Sequence, residues 1–221
     1  MRILITAGPT REYIDPVRFI SNSSTGYFGY QIASEALRRG HKVTLISGPT
    51  CLIPPKGARF IPVVSALDMK KAVEANLQGS DCLIMSAAVA DYRPATVSSQ
   101  KIKKDRNRLS LRLVKNPDIL AAVAKNKGNR VVIGFAVETS GLEKNARGKL
   151  NGKKLDYILA ASVNTGKSPF GDRKIPVLII EKSGKAERVS DSKKNLSKIV
   201  LDKVISVKYP CNREKVQRER G

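Results

Sequence analysis

One histidine, no tryptophan and three cysteines in 221 residues remove much chemistry at the outset. A cluster of histidine metal ligands is excluded, and a Ser-His-Asp arrangement would have to rest on His41 alone, in an Arg-Arg-Gly-His-Lys run that reads as a helix-to-strand turn. Cys51, Cys82 and Cys211 are far apart and never form a C-x-x-C, so neither a disulfide framework nor a zinc site is indicated and a reducing compartment is expected. Long hydrophobic runs are also missing. Ile3-Leu4-Ile5 is too short for a signal-peptide core, and no stretch approaches the ~18 apolar residues of a membrane span. The expectation is a cytoplasmic protein without a membrane partner. Acidic residues are scarce: 19 against 41 Lys and Arg leave a net charge of +22. That excess suits polyanions, whether a nucleic acid or a phosphorylated metabolite. Aromatics are only 5%, so base-stacking platforms are few and a nucleic-acid module is the weaker alternative.

What is present alternates. Arg2–Ala7 and Lys42–Ser47 are short β-rich runs, each ended by Gly-Pro-Thr, and one common turn type would explain both endings. Between them Tyr30, Ala33, Ala36 and Leu37 fall at helical spacing, with Gly40 where a C-terminal glycine belongs. The rhythm continues through strand 59–64, helix 66–77 and strand 81–87, then strand 130–135, helix 142–151 and strand 156–160. Such alternation predicts an α/β fold, a Rossmann-like mostly parallel sheet with helices on both faces. After it, 176–181 and 187–190 read as a hairpin. A last helix over 192–207 follows, burying Leu196, Ile199, Val200, Val204 and Val207. Residues 1–208 are expected to form one domain and 209–221 a charged, frayed tail. Two long connections interrupt the pattern. Residues 94–108 carry Lys101, Lys103, Lys104, Arg106 and Arg108 and read as a basic flap; 162–173 is rich in Gly, Ser and Pro.

In open parallel sheets, ligands sit at the carboxyl ends of strands. The first strand is followed by Gly8-Pro9-Thr10-Arg11-Glu12 and then by Asp15 to Gly26, small polar residues ahead of a helix N-terminus that either cradle an anion or form an ordinary capped loop. The G-x-G-x-x-G pattern and a Tyr-x-x-x-Lys pair are both absent, which weakens a nicotinamide-dependent reductase. At Ala87-Ala88-Val89-Ala90-Asp91-Tyr92, small residues allow close approach to the backbone, and Asp91 either holds a substrate polar group or Mg²⁺, or caps the next turn. Asn116-Pro117-Asp118 reads as a helix start with Asn116 as cap, before Ile119 and Leu120. Lys149 and Lys153 are four apart and either face solvent or reach a triphosphate.

The strings Thr6–Glu12, Ile14–Asn22, Ala87–Tyr92, Lys101–Lys104 and Lys115–Ile119, in this order, resemble phosphopantothenoylcysteine synthetases of coenzyme A biosynthesis, bacterial type. The resemblance runs from Arg2 to about Lys208. It implies a ligase that joins 4′-phosphopantothenate to cysteine, using CTP and Mg²⁺ to activate the carboxylate. Asn22 would stabilise the acyl oxyanion and Lys101 would close over the triphosphate. The substrate arm would lie on Ala87, Ala88 and Asp91. The nucleotide pocket would be shaped by Met85, Ser86, Ala87, Asp91, Lys101, Pro117, Asp118, Ile119, Leu120, Phe135, Lys149 and Lys153. The family is dimeric, and Arg18 would reach the neighbouring subunit's substrate phosphate. Relatives are often fused to a flavin-dependent decarboxylase, so this chain reads as a stand-alone synthetase or an excised domain, with a decarboxylase as a possible partner. The resemblance implies no metal ligands by number. This chain departs from the family strings at Tyr27-Phe28, Val137, Ala161 and Asp172-Arg173-Lys174-Ile175.

Overall fold

The computed structural model describes residues 1–104, 107–163 and 169–209. Along these run β1 (Arg2–Ala7), β2 (Arg11–Tyr13), β3 (Phe19–Ser21), α1 (Tyr27–Arg38), β4 (Lys42–Ser47), β5 (Arg59–Pro62), α2 (Ala66–Leu77), β6 (Cys82–Met85), β7 (Tyr92–Pro94) and β8 (Leu113–Lys115). They are followed by α3 (Ile119–Lys125), β9 (Val131–Glu138), α4 (Leu142–Gly152), β10 (Tyr157–Ser162), β11 (Ile175–Glu181), β12 (Ala186–Asp191) and α5 (Lys193–Lys208). Eight strands form one sheet in the order β12-β11-β10-β9-β6-β1-β4-β5. The six from β10 to β5 are parallel; β11 and β12 complete the edge antiparallel, as the predicted hairpin.

Burial on both faces explains the near-continuous apolar strands. In β1, Ile3, Ile5 and Ala7 point into the layer shared with α1 and α5. Leu4 points the other way, into the layer holding α2, α3 and α4. Helix α2 has the bounds predicted for it because its start is doubly specified. Ser65 Oγ accepts from Asp68 N at 3.2 Å and the Asp68 carboxylate accepts from Ser65 N at 2.9 Å, a capping box. At the end of α1, Gly40 at φ 77° donates to Leu37 O and His41 to Ala36 O, so the glycine performs the terminating role assigned to it.

Four expectations need correction. The two Gly-Pro-Thr endings do not share a conformation: Gly8 has φ 72°, whereas Gly48 lies outside the left-handed region. Gly48 is there because a Cβ would come 1.8 Å from Pro9 O, so the turns interlock. The cap of α3 is Asp118, whose carboxylate accepts from Ala121 N at 3.0 Å; Asn116 faces another way. On α5 the buried face runs through Leu196, Ser197, Val200, Leu201 and Val204, leaving Ile199 partly buried and Val207 exposed at the fraying end. Finally, the loop-like stretches after β1 and β6 contain two small hairpins, β2–β3 and β7–β8. The basic flap leaves β7 and returns into β8; Arg106 in it, and the tail from residue 210 onward, lie outside the described residues. No helix among the described residues is long and apolar enough to cross a membrane.

Candidate active site

From β1 the chain moves outward to β4, and from β6 it moves the opposite way to β9, so a crevice opens where the two strand ends diverge. A cavity of about 790 Å³ occupies it. One wall is made rigid by pairing that continues beyond the strands. Thr10 N donates to Ala88 O and Ala88 N to Gly8 O, while the hydroxyls of Thr6 and Thr10 accept from Ala87 N and Ala90 N at 3.2 and 3.0 Å. Thr6 and Thr10 are fully buried, so these side chains exist to hold the Ala87–Ala90 backbone. Asn22, arriving from β3, lays its amide across that backbone: Nδ2 donates to Ala88 O at 3.1 Å and Val89 O at 3.2 Å. Below it, Asn116 Nδ2 donates to Ala90 O at 2.9 Å, which is why this asparagine is not the cap of α3.

The first turn of α1 also lines the cavity, with Gly26 at φ 77° and no side-chain cap. Its glycines are forced by contact. A Cβ on Gly26 would lie 2.8 Å from Thr50 Cγ2, and one on Gly29 would lie 2.6 Å from Ala7 Cβ. The lining also carries cations. Lys153 Nζ is 2.9 Å from Asp118 Oδ2, and Lys149 Nζ is 2.6 Å from Glu138 Oε1. Burial raises the affinity of both acids for protons, yet hydrogen bonds and the lysine charges overcome it and hold Asp118 and Glu138 below the ordinary carboxylate range. Phe28 and Phe135 meet edge to face at 5.2 Å in the floor.

The structure thus brings Asn22, Met85, Ser86, Ala87, Ala88, Asp91, Pro117, Asp118, Ile119, Leu120, Phe135, Lys149 and Lys153 around one cavity. Arg18 and Lys101 are not among its lining residues. Arg18 is engaged within its own chain by Asp15 and the carbonyl of Ile102, and Lys101 is exposed. Asp91 does not cap a turn: its carboxylate is exposed at the mouth and has no partner among the described residues. Lys193, also on the wall, went unrecognised in the sequence. It is 3% exposed, and Nζ donates to Pro169 O at 2.7 Å and to Gly171 O. Burial brings it down to about 8. The available signal was its place in the first turn of α5, where the helix dipole disfavours a cation.

Residues 1–207 match the DNA/pantothenate metabolism flavoprotein C-terminal domain family. The chain belongs to this family. It is 43% identical over 210 residues to the coenzyme A biosynthesis bifunctional protein CoaBC of Escherichia coli K12, covering 93% of this chain and 52% of that protein. The CoaBC of Bacillus subtilis 168 is 44% identical over 207 residues, covering 93% and 51%. The chain therefore spans about half the length of the curated relatives it matches. Among solved structures, a CoaBC C-terminal domain superposes with a TM-score of 0.79 at 39% identity, covering 92% of this chain and 93% of that one. The flavoprotein from Streptococcus pneumoniae gives 0.81 at 26% identity, covering 93% and 99%. A Cab2 mutant in complex with phosphopantothenate-cysteine gives 0.74 at 15% identity, covering all of this chain and 89% of that one; at that identity the likeness is one of fold. In this chain the cavity at the β1/β6 divergence is where small strand-end residues meet Lys149 and Lys153.

Proposed function

We propose that this chain is the ligase that joins 4′-phosphopantothenate to L-cysteine, activating the carboxylate with CTP. A carboxylate oxygen of phosphopantothenate attacks the α-phosphorus, the bond to the β-phosphate oxygen breaks, and pyrophosphate leaves. The cysteine amine then attacks the acyl carbon of the acyl-cytidylate, CMP departs with the bonding pair, and the ammonium formed loses its proton as the amide is made.

The carrying observation is one cavity lined both by an immobilised small-residue backbone with Asn22 and by Lys149 and Lys153. Small residues at 87–90 let an extended arm lie against the chain. The two lysines offset phosphate charge, and the apolar floor of Leu120 and Phe135 takes a base. Asn22 can present an amide hydrogen to the acyl oxygen by releasing one of its two backbone carbonyls. The described residues contain no group of three His, Cys, Asp or Glu able to hold a metal. Asp91, whose carboxylate has no partner among the described residues and lies at the mouth, would be a ligand for Mg²⁺, and the ion would offset phosphate charge there. A homodimer, in which Arg18 serves the neighbour's substrate phosphate, and a decarboxylase partner complete the reading. The name CoaBC, a bifunctional protein, and the half-length match support the latter.

The test is pyrophosphate release with phosphopantothenate, cysteine and either CTP or ATP at equal sub-saturating concentration. Release that requires both acid and nucleotide, with CTP preferred, is expected. Equal turnover with ATP would show the base pocket misassigned; no release with either, from protein shown to be folded, would end the ligase reading.

A further inference from the structure

Asp15 is a fully buried carboxylate outside the cavity, and four donors converge on it. Oδ1 accepts from Val17 N and Arg18 N, both at 2.8 Å, which closes the turn between β2 and β3. Oδ2 accepts from Arg18 Nη1 at 2.8 Å and, across 87 positions of sequence, from Ile102 N at 3.2 Å. The guanidinium of Arg18 returns to the same flap residue, with Nη1 and Nη2 each 3.3 Å from Ile102 O. One flap residue is therefore gripped at its N–H by Asp15 and at its C=O by Arg18. The preceding peptides are tied as well. Ser98 N donates to Ile14 O at 2.9 Å, and Ser98 Oγ donates to Gln100 O at 2.6 Å.

The residue between these ties is Lys101. Gln100 O and Ile102 N belong to the two peptide groups that flank it, so its backbone is fixed on both sides while its side chain is exposed and without a partner among the described residues. A cation that must meet a triphosphate gains from a fixed base, because less freedom is lost on contact.

We infer that Asp15 is a positioning residue: by holding the Lys101–Ile102 peptide it sets the place from which Lys101 reaches the triphosphate. The inference rests on the role proposed for Lys101. Asp15 itself touches no substrate, and its one ionic partner among the described residues is Arg18, whose own effect on release would appear equally with and without Lys101.

The test is a double-mutant cycle read by pyrophosphate release in a single turnover without cysteine. Asp15→Asn keeps the shape but sets an amide donor against donors. It is expected to slow release about tenfold in the wild-type background and less than twofold when Lys101→Gln is already present, since coupled residues are not additive. Amide hydrogen exchange supplies a second readout, in which protection of Ile102 N–H is lost in Asp15→Asn. If that variant fails to fold, Ile102→Pro removes the gripped N–H and fixes the backbone around it, leaves the turn bonds of Asp15 intact, and should reproduce the slow release, while Ile102→Ala, which keeps the N–H, should not. Equal slowing in both backgrounds, or an Ile102 amide as protected as in wild type, would overturn the inference. A Lys101→Gln chain releasing at the wild-type rate would instead remove the reading of Lys101, and the inference with it. Slow Lys101→Gln beside wild-type Asp15→Asn would sink the positioning role alone.

Discussion

Glu35 on α1 and Arg39, the residue that caps its C-terminus, are 2.8 Å apart, and Arg39 reaches on to Asp202 of α5 at 2.6 Å. Arg38 closes the other side of the same carboxylate at 2.7 Å, so the helix pair is pinned by a nearly buried acid between two guanidinium groups. The hydrogen bond from Arg38 leads in bringing Glu35 down to about 2; burial opposes it, and Arg39 adds to the lowering. Since the folded state binds the proton more weakly than the unfolded chain, the stabilisation is present above the ordinary glutamate range and is lost as pH falls toward 2. Glu35→Gln should therefore cost on the order of 2–3 kcal/mol at pH 7, with the gap from wild type closing between about pH 4.5 and 2. Urea denaturation at pH 7, 4 and 2.5 measures it; a gap independent of pH would mean that packing, not charge, is what Glu35 contributes.

Two helical glycines should respond oppositely to the same change. A Cβ on Gly29 would lie 2.6 Å from Ala7 Cβ and 3.2 Å from Thr6 O, so Gly29→Ala forces α1 away from β1 beside the cavity and should destabilise by about 1–3 kcal/mol. Around Gly148, exposed on α4, a Cβ meets nothing within 4 Å, and Gly148→Ala should stabilise by about 0.5–1 kcal/mol through the loss of backbone freedom in the unfolded chain. Denaturation midpoints decide both, and the same sign at the two sites would refute the contact argument.

Elements were legible in the sequence where local chemistry alone specified them. Ser65 and Asp68 bracket α2 at its start, and Gly40 ends α1, so both bounds could be read without knowing the fold. The three-residue strands β2, β3, β7 and β8 were not legible, because they are too short for a period-2 pattern and form through one another and through contacts such as Thr10 with Ala88 and Ala90. Asn116 misled for a related reason. It has the chemistry of a cap, and Asp118 two residues later has it too; Ala90 O, far away in sequence, takes the asparagine and leaves the helix to the aspartate. Ala87–Asp91, after β6, were readable as cavity-lining because the alternation of strands and helices fixes which end of the sheet opens, whereas Met85, Ser86 and Phe135 came from the family resemblance alone. Lys193 enters the site only because the segment at Pro169–Gly171 folds back over it, a contact that no spacing encodes.

Asp118 serves two ends at once, as cap of α3 and as partner of Lys153, and substitutions can separate them. Asparagine caps about as well as aspartate but carries no charge, so Asp118→Asn should lose only what the Lys153 pair contributes, at most about 1 kcal/mol, whereas Asp118→Ala should lose about 1 kcal/mol more than Asp118→Asn. Both release Lys153 from its position on the cavity wall. A pair this exposed is worth at most about 1 kcal/mol, so both variants should raise the nucleotide KM by about two- to fivefold with kcat little changed. A KM that moves only in the alanine variant would tie nucleotide affinity to the helix start, not to the lysine.

The buried Lys193 gives the cavity wall a dependence on alkaline pH whose sign can be worked out. Burial lowers its proton affinity in the folded state to about 8, opposed by Asp172 and aided by Arg173, while the unfolded chain keeps an ordinary lysine. Below pH 8 both states are charged, and the folded state bears the cost of the buried ammonium. Between about 8 and 10.5 the unfolded state binds the extra proton, so the contribution of Lys193 to stability rises with pH, by up to on the order of 3 kcal/mol. Other lysines and tyrosines titrate in the same range, but a Lys193→Met chain shares them, and subtracting its stability from that of wild type isolates this residue. The variant also leaves the carbonyls of Pro169 and Gly171 without their donor, a loss that a neutral amine avoids and that is the same at every pH. Chemical denaturation of both chains from pH 7 to 10.5 should show wild type gaining on the variant as pH rises. A difference that stays flat would show that the two carbonyls and Asp172 hold the ammonium as firmly as water does, and one that falls would show that they hold it more firmly.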